Sequence, residues 1–125
     1  MKFILLVPGG RGGSDFFHGL LDNHKQILQF PGHFLINDNF YKLLKKAKDS
    51  KFKETAKLFL KAYPYFFNSK LSKITGHDKL GPNKNRFYKV NKDKFINYFI
   101  KLSKEKKNTR VQAIKNLHLA YYLAR

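Results

Sequence analysis

The chain has 125 residues, 42% of them apolar and 16% aromatic, with a formal net charge of +18. Those figures suit one domain with a core of its own and exclude a chain too polar to fold. With no Cys, disulfides and thiolate metal sites are excluded. Dense positive charge ordinarily points to nucleic acid, an anionic membrane or an acidic substrate. Here the base is almost all Lys, since Arg occurs only at positions 11, 86, 110 and 125. Sequence-reading and bidentate phosphate sites favour the planar Arg fork. This composition therefore argues against nucleic acid as the partner and fits the amino-acid bias of an AT-rich genome.

The opening run Phe3-Ile4-Leu5-Leu6-Val7 stops at Pro8, short of the roughly 7 to 15 residues of a signal-peptide core. Its apolar character on both faces predicts a buried parallel strand. No later stretch approaches the roughly 20 apolar residues of a membrane span, so the expectation is a soluble, cytoplasmic protein. Residues 8–13 then supply four glycines in six positions, and Ser14 and Asp15 offer capping side chains for a helix carrying Phe16, Phe17, Leu20 and Leu21. A second short apolar run at residues 27–30, closed by Pro31 and Gly32, completes a β-loop-α-β unit.

From residue 37 the pattern becomes helical and Lys-rich. Phe40, Leu43, Leu44 and Ala47 recur at helical spacing after a cap at Asn37 or Asp38, with Lys42, Lys45, Lys46 and Lys48 on the other face. A second helix carries Phe52, Ala56, Phe59, Leu60 and Tyr63 until Pro64 stops it. Residues 75–88, with Gly76, Gly81 and Pro82, read as a loop. Asn91 caps a helix presenting Phe95, Ile96, Phe99, Ile100 and Leu102, and Thr109 caps a last one with Ile114, Leu117, Ala120 and Tyr121. The fold class expected is α/β, a P-loop-like parallel sheet start followed by a mostly helical segment. Residues 1–36 form the anion-loop unit and residues 37–125 the lysine-rich helical region of one domain. Two strands make no independent parallel sheet, so the chain is expected to be the front piece of a longer protein.

The chemistry concentrates in the loop. Glycines let successive backbone N–H groups point into one concavity, and the following helix adds its positive dipole end, a combination suited to a tetrahedral anion. The alternative is a tight strand-to-helix turn with no ligand. No Lys follows as a Walker A loop requires, and the dinucleotide pattern GxGxxG does not fit.

The longer string, Val7-Pro8-Gly9-Gly10-Arg11-Gly12-Gly13-Ser14 through Leu21-Asp22-Asn23-His24 to Ile27, resembles the first motif of the PAPS-dependent sulfotransferases, x-P-[RK]-S-G-[TS]-[TS] followed by L-L-D-x-H-P-x-I. The resemblance covers about the first quarter of the chain. Arg11 matches the basic position, Gly13 the glycine and Ser14 the first hydroxyl. Gly12 stands in place of Ser, Lys25 in place of Pro, and Asp15 where a second hydroxyl is usual.

The resemblance implies that Gly10, Arg11, Gly12, Gly13, Ser14 and Asp15 surround the 5'-phosphosulfate of 3'-phosphoadenosine 5'-phosphosulfate (PAPS). It further implies transfer of the sulfuryl group to a hydroxyl or amine acceptor, with saccharides among the candidates. Arg11 would stabilise the departing phosphate. His33, just after the second run, would be the base, in the neighbourhood where the tyrosylprotein branch carries a Glu; imidazole titrates near neutrality. Asp15 must either turn away as a cap or mark weakened or altered cofactor use, because a carboxylate beside a dianion repels it. The motif that grips the 3'-phosphate is not recognisable before Arg125, and residues 91–124 resemble the lysine-rich helical insertion that precedes it in bacterial members. His18 reads as a partly exposed helix histidine, or one that reaches back toward the loop, and His24 as structural, whereas His77 and His118 have no acidic or histidine partner at ligand spacing, so no metal is expected. The competing readings are a lysine-rich polyanion or nucleic-acid binding protein without catalysis, and a relative that keeps the fold but not the activity.

Overall fold

The computed structural model describes residue 16 and residues 20–21, 24–31, 38–72, 82–105 and 109–125. The body is helical: α1 (Asp38–Lys48), α2 (Phe52–Ala62), the single-turn α3 (Pro64–Phe67), α4 (Lys92–Lys104) and α5 (Arg110–Ala124), with a 3-10 turn at Ser69–Leu71. Helix α1 packs on α2, α2 on α4, α4 on α5 and α5 back on α1, which closes a ring of four helices around one core.

The helix boundaries follow local chemistry. Asn91 accepts the Lys94 N–H at 2.9 Å and Thr109 the Gln112 N–H at 3.1 Å, each side chain satisfying a donor that the first helical turn leaves open. Ser50, with φ 59°, ends α1 in the left-handed conformation that usually selects glycine. Its N–H donates to Ala47 and that of Lys51 to Lys46, the paired bonds of a Schellman ending. Pro64 ends α2 and opens α3 in the same step, since its missing N–H and fixed φ suit a first helical position.

The apolar stripes of α1, α2, α4 and α5 meet in the core, and aromatic rings fill its centre. Phe59, Phe66, Phe67, Phe95 and Phe99 are fully buried. Phe59 stacks on Phe95 at 5.4 Å, and Phe67 meets Phe95 edge-on at 4.9 Å, geometries that suit the charge distribution of the rings. The Tyr121 hydroxyl donates to the Phe66 carbonyl, which ties α5 to α3. Buried Asn116 on α5 donates to the Leu102 carbonyl at 3.2 Å and the Ser103 hydroxyl at 3.3 Å, and accepts from Gln112 at 2.8 Å. Its amide is thereby satisfied on both sides.

The expected P-loop-like α/β class, with the parallel sheet start of a sulfotransferase, is corrected. Among the described residues there is no sheet, and Asn68 with Lys89 makes an isolated antiparallel bridge. Residues 27–30, expected as the second strand, are irregular coil. The reason is packing: one residue of that run, Phe30, turns into the helical core and is 2% exposed, so its backbone neighbours are not laid in a ladder. Phe16, Leu20 and Leu21 are helical as expected, and Phe16 and Leu20 are 74% and 61% exposed. The expected first strand, residues 3–7, lies outside the described residues. No helix among the described residues is long and apolar enough to cross a membrane.

Candidate functional site

Every residue assigned to the anion site from sequence, Gly10, Arg11, Gly12, Gly13, Ser14, Asp15 and the base His33, lies outside the described residues. What the structure describes is the segment between them and its attachment to the helical body. After Leu21 the chain makes two turns, His24 N–H to Leu21 and Ile27 N–H to His24. It then runs as a strap, residues 24–31, along α5.

Phe30 anchors the strap. Its ring stacks on Phe66 at 4.9 Å, lies 5.2 Å from Phe59 and from Tyr121, and rests on His118 at 4.0 Å. Burying such a ring is worth about 1.5–3 kcal/mol, enough to fix the strap on the body. His118 is held from the other side as well, since its Nδ1 lies 2.9 Å from the Ile114 carbonyl. A carbonyl only accepts, so Nδ1 carries the proton. Burial pushes the His118 pKa below its ordinary value, and the bond to Ile114 opposes the shift only in part. The ring is therefore neutral at pH 7.

Between strap and helix runs a groove of about 260 Å³. Its polar rim consists of His24 and the cations Lys25 on the strap and Arg125 beyond α5; its inner wall is Ile27, Leu28, His118 and Tyr122. Among the described residues no carboxylate side chain lines it. Neither Lys25 nor Arg125 has an ion pair among the described residues, whereas Lys46 meets Glu54 at 2.6 Å and holds that carboxyl below its usual range. The His24 Nδ1 accepts the Gln26 N–H at 3.3 Å, which leaves its other nitrogen as the donor.

A larger depression of about 480 Å³ lies where residues 67–68 meet residues 89–93. Its two Asn side chains and part of its backbone are committed to structure: Asn68 accepts the Lys70 N–H, Asn91 caps α4, and Val90 donates to the Phe67 carbonyl at 2.9 Å. The phenols of Tyr63 and Tyr65 are pushed up by burial, Tyr63 to about 12 with a further push from Tyr65, so neither serves as a base near neutrality. Among the described residues no group of three or more His, Cys, Asp or Glu side chains is placed to hold a metal ion.

Sequence reasoning missed the groove. Lys25 entered only as a departure from a motif and His118 only as an unpartnered histidine, because the two walls are about ninety residues apart in the chain and no local spacing links them. Comparison with protein-family models, with curated proteins and with solved structures finds no match to this chain.

Proposed function

We propose that this protein acts in the cytoplasm to transfer a sulfuryl group from PAPS to a hydroxyl or amine acceptor, with the loop at residues 9–15 holding the 5'-phosphosulfate. The observation that carries the reading is the string from Val7 to Ile27, which joins a glycine-rich turn, one Arg, a helix and the Leu-Leu-Asp-x-His ending in the family's order. The helical state of Phe16, Leu20 and Leu21 supports it, because a helix after the loop directs unsatisfied N–H groups toward an anion. The reading depends on the loop's amides and the Arg11 guanidinium rather than on a sheet.

The transfer is in-line. The acceptor oxygen or nitrogen forms a bond to sulfur as the bond from sulfur to the bridging phosphate oxygen breaks. Adenosine 3',5'-bisphosphate leaves, and the acceptor proton passes to His33. Arg11 offsets the charge that grows on the departing phosphate.

Calorimetry with adenosine 3',5'-bisphosphate tests the site. Saturable one-to-one binding is expected, weakened at least about tenfold by Arg11→Ala through loss of a charge-assisted contact. A second reading, polyanion binding without catalysis, is favoured by one observation: Lys53, Lys57 and Lys61 stand exposed at four-residue intervals along α2, one continuous face. In that case Arg11→Ala leaves binding unchanged, and affinity falls in small steps as those lysines are removed.

A further inference from the structure

The groove beside the strap combines features that a solvated lysine surface lacks. It is concave, with two cationic side chains at the rim, Lys25 and Arg125, that have no ion pair among the described residues. It sets aliphatic and aromatic surface directly below that charge, from Ile27, Leu28 and Tyr122. Tyr122 and Ile27 are exposed although both are large and apolar. The donor nitrogen of His24 adds a hydrogen bond without a fixed charge. Ligand sites are recognised by this mixture of apolar wall and a few convergent polar groups. At about 260 Å³ the space lies just below the roughly 300 Å³ where drug-sized pockets begin, which suits a small occupant such as a single substituted ring. The charges of Lys25 and Arg125, with no carboxylate side chain in the lining among the described residues, set the sign of its charge.

We propose that this groove binds a monocyclic organic anion, an aryl phosphate or sulfate, with its charge between Lys25 and Arg125 and its ring against Tyr122 and Leu28. Wall and rim answer different parts of such a ligand. An inorganic anion gains only the exposed cations, whose attraction salt screens, whereas an aryl anion also removes apolar surface from water. The site is separate from the loop that contains Arg11 and does not rest on the sulfuryl-transfer reading.

Phenyl phosphate is the probe, titrated into the full chain and followed by amide chemical shifts. Saturable shifts are expected at Lys25, Leu28, Tyr122 and Arg125, with inorganic phosphate binding at least about tenfold more weakly. The double change Lys25→Ala with Arg125→Ala is expected to weaken phenyl phosphate by tenfold or more; Lys101→Ala, exposed on α4, is expected to leave it unchanged. Because Lys25 and Arg125 are exposed, their removal does not threaten the fold. Equal losses from Lys101→Ala and from the groove variant would reduce the effect to diffuse charge and overturn the proposal, as would phosphate binding as tightly as phenyl phosphate. Binding lost in Arg11→Ala and retained in the groove variant would place the ligand on the loop instead, sinking the groove while sparing the loop.

Discussion

His118 sits where three demands meet. Its ring faces Phe30, its Nδ1–H is committed to Ile114, and the groove beside it carries Lys25, Arg125 and His24 with no carboxylate side chain among the described residues to favour a further positive charge. Burial lowers its pKa from the ordinary 6.5, so the unfolded chain takes up this proton at a higher pH than the folded one. By linkage, the folded state gains stability as pH rises wherever the unfolded state binds more protons. The contribution is complete above pH 6.5 and declines as pH falls from there through the lower folded value. Urea midpoints measured between pH 7.5 and 5.0 should fall, and His118→Gln should flatten that fall; an equally steep profile in the variant would assign it to other groups.

At the level of elements, the ends of the helices are where single side chains decide stability. Asn91→Ala removes the acceptor for the Lys94 N–H and is expected to cost about 1 kcal/mol. Ser50→Gly is expected to act in the opposite direction by about 0.5–1 kcal/mol, since a side chain at φ 59° bears a left-handed penalty that glycine escapes. Both changes are read from urea unfolding by circular dichroism, and a Ser50→Gly protein no more stable than its parent would contradict the assigned ending of α1.

These helices were legible in the sequence because amphipathic spacing and caps agreed: Phe40, Leu43, Leu44 and Ala47 all face inward, and Pro64 does end α2. The run at residues 27–30 was misread because a four-residue apolar stretch has too little length to reveal its period; one deeply buried side chain, Phe30, accounts for its hydrophobicity. Helix α3 gave no signal, being a single turn held by the burial of Phe66 and Phe67 rather than by propensity. The loop motif lies outside the described residues, and the groove was not legible, since it exists only after strap and α5 are brought together.

Across the whole molecule, the question is whether the strap belongs to the same cooperative unit as the four-helix ring. The strap has little of its own to hold it: two turn hydrogen bonds near His24 and a mostly exposed stretch from residue 24 to residue 27. Its deepest attachment among the described residues is one ring. Phe30, however, does not lie on the core; it completes it, touching Phe59 of α2, Phe66 of α3 and His118 and Tyr121 of α5. Removing it opens a cavity shared by three helices that are fixed by other contacts and collapse only in part, so Phe30→Ala is expected to cost about 3 kcal/mol or more. Against a total of about 5–15 kcal/mol for a domain, that is a large fraction.

An appendage would behave otherwise, costing less than about 1 kcal/mol or melting in a separate earlier step while the helices persist. Circular dichroism at 222 nm reports the helices, and the amide chemical shifts of Leu28 and Phe30 report the strap. Coincident urea transitions in parent and variant, with the variant's midpoint well below the parent's, are the expected result. A variant that keeps the parental midpoint would mean that the core closes without Phe30, and that the segment leading back to the glycine loop is tethered only by its covalent chain.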